Sequence, residues 1–124
     1  MTRFIRRSRL HLLLAGAVLV AALTPLLSTA RPLTANLTIT NNTSRAIGHV
    51  YLAPAAADSN WGPDQLNNSS IAIGGTHTLS ISCGSEIKVI AEDEDGCFYY
   101  QVVSCSESSS WTIDNNSARD CGSN

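Results

Sequence analysis

Basic charge is scarce through most of this chain. Four of its eight Lys and Arg residues (Arg3, Arg6, Arg7 and Arg9) fall within the first nine positions. From residue 31 onward only Arg31, Arg45, Lys88 and Arg119 stand against ten acidic residues, a net charge of −6. Such a surface repels nucleic acid and anionic lipid, so neither is an expected partner. The usual signatures of catalysis are missing as well. There is no G-x-S-x-G, no H-E-x-x-H and no glycine-rich phosphate loop. Beyond residue 30 the only histidines are His49 and His77, both inside alternating strand patterns. A small hydrolase would need a Ser/His/Asp site assembled in space. The expectation is a protein that is not an enzyme, with no catalytic residues to name.

Long apolar runs are limited to one. Residues 10–27 are apolar apart from His11, Thr24 and small residues, and follow the arginine cluster. With Ser28, Thr29 and Ala30 supplying a small-residue site, residues 1–30 read as a signal peptide cleaved after Ala30. The run approaches the length of a membrane-spanning helix, so an uncleaved anchor is the alternative; Pro25 near its end favours cleavage. No cysteine at the cut means no lipoprotein, and Arg6-Arg7 lacks the flanking residues of a twin-arginine signal. The expected location is secreted or periplasmic. What remains, 31–124, is one domain that buries only about 60–65% of its unfolded surface. No membrane association is expected after cleavage, and the expected state is a monomer.

Helical periodicity is nearly absent, and alternation takes its place. Leu33, Ala35, Leu37 and Ile39 alternate with Thr34, Asn36, Thr38 and Thr40, a half-buried strand. A turn at 41–44 leads to a second strand at 46–52, with Val50 and Leu52 on one face and Ile47, His49 and Tyr51 on the other. A long connection, 55–69, precedes a short strand at 70–73 and the Gly74-Gly75 turn. His77, Leu79 and Ile81 alternate in the next strand. Ile87, Val89 and Ala91 lead to an acidic turn at 93–96, and residues 97–103 return, rich in aromatic and β-branched side chains. A last strand covers 111–113. Seven short strands joined by polar turns predict an all-β fold, a small antiparallel β-sandwich of immunoglobulin-like or Greek-key type. The sequons at Asn36, Asn41, Asn42, Asn67, Asn68 and Asn115 read as turn residues.

Cys83, Cys97, Cys105 and Cys121 are an even number in a short exported domain, the pattern of an oxidised framework. Three pairings are open. Counting outward from the 93–96 turn places residue 83 roughly opposite residue 105, at a separation a disulfide spans. Cys83–Cys105 is therefore the first choice, leaving Cys97–Cys121 to pin the tail. Each would stabilise by about 2–4 kcal/mol. Zinc is the alternative use of the four thiols. The intervening stretches of 13, 7 and 15 residues hold no C-x-x-C, and His77 has no partner.

Two loops invite a ligand reading. The run Glu92-Asp93-Glu94-Asp95-Gly96 crowds carboxylates at a strand tip. Calcium would bind there if Asp58 and Asp64 from the long connection joined Asp93 and Asp95, though the spacing is not that of a dedicated calcium loop. A solvated hairpin turn is the plainer reading, with no cofactor required. Trp61, ahead of Gly62-Pro63, either caps the end of the sandwich over Leu66 or stands exposed to contact a sugar ring or a partner. Phe98, Tyr99 and Tyr100 must point to both faces of their sheet, and with Tyr51 they are candidates for a binding face. Trp111 reads as core.

The motifs L-T-I-T-N-N-T, Y-L-A-P, D-S-N-W-G-P-D-Q-L, G-G-T, D-E-D-G and V-V-S-C, spread over 33–113, resemble those of a group of small exported bacterial proteins of unknown function. The resemblance implies a shared β-sandwich and export, and it transfers no catalytic or binding residue. It also implies that the cysteines at 83 and 105 are the common pair and those at 97 and 121 an addition. The expected function is a secreted, non-enzymatic binding or structural module for a protein or glycan ligand. A calcium-dependent module and a small secreted hydrolase are the alternatives.

Overall fold

The computed structural model describes residues 31–122, together with Ala21 and Pro25. The signal-peptide reading falls on residues outside the described ones. Six strands form the domain: β1 (Leu33–Asn42), β2 (Ile47–Pro54), β3 (Thr76–Cys83), β4 (Glu86–Asp93), β5 (Phe98–Ser104) and β6 (Ser109–Asp114). They make two three-stranded sheets, β3-β1-β6 and β2-β4-β5, so the fold is the all-β sandwich that the alternation predicts. The apolar residues of each alternating strand turn to one side. Leu37, Ile39, Leu79, Ile81, Trp111 and Ile113 of the first sheet pack against Val50, Val89, Ala91, Tyr99 and Val103 of the second. Burying each large aliphatic side chain contributes about 1.5–3 kcal/mol.

Four details depart from the sequence reading. The segment at 70–73 is not a strand: it supplies one bridge, Ile71 to Ile47, so there are six strands rather than seven. The sandwich is not wholly antiparallel, because β1 pairs with β6 in parallel, Leu37 beside Ser109 through Asn42 beside Asp114. Ile47 does not share a face with His49 and Tyr51. The register against β4 shifts between Ile47 and His49, and this bulge turns Ile47 into the core while His49 looks outward.

The fourth concerns the staples. Both disulfides are those expected, Cys83–Cys105 and Cys97–Cys121. The hairpin register does not bring the first pair together. Around the 93–96 turn it is Ser85, not Cys83, that sits against Cys105, through a 2.9 Å bond from the Cys105 N–H to the Ser85 carbonyl. Cys83 closes β3 in the other sheet, so this disulfide clamps the two sheets together where the chain crosses between them. Cys97–Cys121 ties the tail to the head of β5, where Asp120 adds a single bridge to Phe98.

A buried amide organises the turn after β1. Asn41 Nδ2 donates to the carbonyls of Arg45 (2.8 Å) and Ile71 (3.0 Å), while its Oδ1 accepts from the N–H (3.1 Å) and hydroxyl (2.8 Å) of Thr43. All of its hydrogen-bonding groups are engaged, as burial demands.

Candidate functional site

The two outward faces of the sandwich differ in chemistry. That of β3-β1-β6 carries short hydroxyl and amide side chains, with Thr34, Asn36 and Thr38 opposite Ser82, Ser80 and Thr78. A shallow hollow of about 180 Å³ on it is lined by Thr34, Ala35, Asn36, Ser80 and Ser108. The outward face of β2-β4-β5 is aromatic. Register sets it out in three rows: His49, Glu92 and Phe98; Tyr51, Ile90 and Tyr100; Ala53, Lys88 and Val102. Ile90 points away from the core yet is 0% exposed.

Trp61 lies across this face, against Phe98 and against the Tyr51 that neighbours Ile90. Asn60, in the left-handed region at φ 79°, turns the chain just before Trp61. The Gly62 N–H then donates to the Leu52 carbonyl at 2.9 Å. A Cβ on Gly62 would stand 3.1 Å from that oxygen, so the approach favours glycine. Two further bonds, Gln65 N–H to Val50 O (2.7 Å) and Ile71 N–H to Ile47 O (2.9 Å), seal the connection along the edge of β2. Held this way, the indole spans from Tyr51 (centroids 5.5 Å apart) to Phe98 (5.1 Å, edge to face). His49 stacks on Tyr51 at 6.0 Å and Phe98 meets Tyr100 at 6.4 Å, completing a chain of five rings. Trp61 thus lies over an outward face of the sandwich, not over its end, and stays partly exposed. Beyond it Tyr100 and Val102 remain 43% and 45% exposed. Tyr99, between Phe98 and Tyr100, is core.

The acidic candidates are not brought together. Asp58 lies by the far end of β2, where the Lys88 ammonium donates to the neighbouring Ala57 carbonyl. Asp93 and Asp95 sit at the opposite end. Asp93 is buried, and its carboxylate accepts from Arg119 Nε (2.7 Å), the N–H groups of Asp95 (2.9 Å) and Cys97 (3.1 Å) and, more loosely, Tyr99 OH (3.4 Å). Burial pushes its pKa up, but Arg119 and the two N–H groups outweigh that and hold it below the ordinary carboxylate value. The same contact with Asp93 raises the Arg119 pKa. Asp95 pairs with Arg45 and with Arg119. The crowding of carboxylates at the tip is thus relieved by two arginines, which a linear reading of the acidic run missed. Among the described residues no group of three or more His, Cys, Asp or Glu is placed to hold a metal ion.

Asp64 serves the Trp61 connection. Its Oδ1 accepts the N–H groups of Val50 and Leu66, both at 3.0 Å, and its Oδ2 lies 3.1 Å from His49 Nδ1. Burial raises its pKa, and these three partners more than reverse the effect. The His49–Asp64 pair has the base-and-orienter form of a hydrolytic site, but among the described residues no hydroxyl is hydrogen-bonded to His49. Glu92, absent from the sequence candidates, accepts the Tyr51 hydroxyl at 3.1 Å. Burial and then Glu92 raise the Tyr51 pKa.

The class defined here is a small β-sandwich stapled by two disulfides, with one aromatic outward face. The two disulfides point to an oxidising compartment. In fold it is similar to the protein from Eubacterium rectale solved by NMR, at 12% identity over 69% of this chain and 84% of that one, with a TM-score of 0.43. No family model matches the chain. None of the curated proteins matches it.

Proposed function

We propose that this is a secreted or periplasmic, non-enzymatic binding module, delivered by cleavage of residues 1–30, whose ligand surface is the outward face of β2-β4-β5. The observation that carries the reading is the chain of five rings from His49 through Tyr51, Trp61 and Phe98 to Tyr100, ending in exposed Tyr100 and Val102. Aromatic rings fixed in place offer large contact area with little entropy left to lose, which suits recognition of a protein or a glycan. A rigid two-disulfide frame under them adds to that preorganisation.

A display screen against peptide and glycan libraries tests this. True ligands should lose binding on Tyr100→Ser, a change at an exposed ring that leaves the melting temperature near the parent's. Ligands indifferent to Tyr100→Ser and to Trp61→Phe would place the binding surface elsewhere. Hydrolysis of a generic ester or peptide that vanished in His49→Ala would overturn the non-enzymatic reading.

A further inference from the structure

We propose that the aromatic face receives an arginine side chain of a protein partner, its guanidinium stacked on Tyr100 and paired with Asp120. The inference rests on the reading of that face as the ligand surface and names the chemistry it takes.

The first support is where Asp120 is held. Its N–H and C=O both bond to Phe98, at 2.9 and 2.7 Å, and the next residue, Cys121, is linked to Cys97. A carboxylate is thereby clamped beside the Phe98–Tyr100 end of the ring chain instead of trailing on a free tail. One of its oxygens accepts the Gly122 N–H at 2.9 Å, which leaves the other for a ligand. The charge of Asp120 adds to burial in raising the Tyr100 pKa, so the two side chains sense each other.

The second support is charge. Arg45 and Arg119 are paired with Asp93 and Asp95, and Lys88, in the outward row farthest from Phe98, keeps its charge but directs its ammonium to the Ala57 carbonyl at the other end of the sheet. Among the described residues no cation pairs with Asp120 or Glu92, which flank the rings. Electron-rich ring faces beside uncompensated carboxylates, on a domain of net charge −6, complement a cation and not an anion. Arginine fits better than lysine, because a planar guanidinium stacks on a ring while its fork reaches a carboxylate.

The test uses the oxidised protein and three probes followed by NMR: a Gly/Ser peptide with one central arginine, the same peptide with neutral citrulline, and a neutral chito-oligosaccharide. The arginine peptide should shift the amide signals of Phe98, Tyr100 and Asp120, more weakly as salt rises. Replacing arginine by citrulline should weaken binding severalfold. Tyr100→Ala and Asp120→Asn should each weaken it about 2–5-fold, as expected of exposed cation–π and ion-pair contacts. Asp58→Asn, at the other end of the sheet, should leave it unchanged. Equal binding of the two peptides, indifference to Asp120→Asn, or no shift with the arginine peptide at millimolar concentration overturns the inference. If the oligosaccharide alone moves the Trp61 and Tyr100 signals, the inference falls and the binding face stands. If binding shifts only signals away from these rings, both fall.

Discussion

Arg119→Ala should expose how much of this domain's stability hangs on one buried carboxylate. The Asp93 side chain is 0% exposed and the Arg119 side chain 26% exposed, so the substitution removes the cation and strands the anion. Breaking a buried pair from one side costs about 3–5 kcal/mol. Asp93 keeps the N–H groups of Asp95 and Cys97, which lowers the expected cost to about 2–3 kcal/mol. The second bond of Arg119, to half-exposed Asp95, adds little. For a domain of this size about 4–8 °C is lost per kcal/mol, so the melting point should fall by about 8–24 °C at pH 7.

The sign of the pH dependence is fixed by the direction of the Asp93 shift. Its folded pKa is depressed, so its contribution is fully present above the unfolded value near 3.9 and is lost as pH falls through the folded one. In Arg119→Ala the folded pKa rises, and the carboxylate protonates first in the variant. The gap between variant and parent should therefore narrow from pH 7 towards pH 3. Thermal melts by circular dichroism, with both disulfides intact, would show it. Equal melting points at pH 7, or a gap that stays constant down to pH 3, would refute the assignment of Asp93 and Arg119 as a buried pair.

Asn41→Ala should cost about 2–4 kcal/mol in urea unfolding, and Asn41→Asp at least as much, because a carboxylate would face the Arg45 and Ile71 carbonyls that now accept its N–H groups; a better-tolerated Asn41→Asp would contradict the amide orientation. Non-reducing peptide mapping should recover Cys83–Cys105 and Cys97–Cys121, and the double serine variant of either pair should lose about 2–4 kcal/mol. A Cys83–Cys97 peptide would rule out the inter-sheet clamp. Millimolar calcium should leave the melting point unchanged, because Asp93 and Asp95 are occupied by arginines and Asp58 lies at the other end; a calcium-specific rise abolished by Asp95→Asn would restore the calcium-module reading.

What the sequence conveyed was local. β1 reads off its alternation because nothing interrupts it from Leu33 to Thr40. The 93–96 turn was legible because Gly96 supplies the positive φ, 78°, that the hairpin needs. The face of Ile47 was not, since a bulge reverses the alternation without marking the periodicity. The pairing of β1 with β6 joins segments some seventy residues apart and leaves no local trace. The candidate site failed to show for the same reason. Its rings come from β2, the Trp61 connection and β5, and only the fold of that connection across the sheet assembles them. The acidic run read as a hairpin turn with calcium as its alternative, and its arginine partners, 50 and 24 positions away, left no local sign.

The position of β1 also sets a timetable. It is the middle strand of its sheet, flanked by β3 and β6, and its outer hydrogen bonds wait for residues 109–114. A chain emerging from its N-terminal end therefore holds Leu37 and Ile39 without their final neighbours until almost all of it is out. Only β4 and β5 are sequential strands in one sheet, so early folding has one local hairpin from which to start. Topologies dominated by such distant pairing fold in about milliseconds to seconds, far slower than local ones. On the secretory route proposed for it, that delay would keep the chain open during passage, since closure of the first sheet requires the last strand to have arrived.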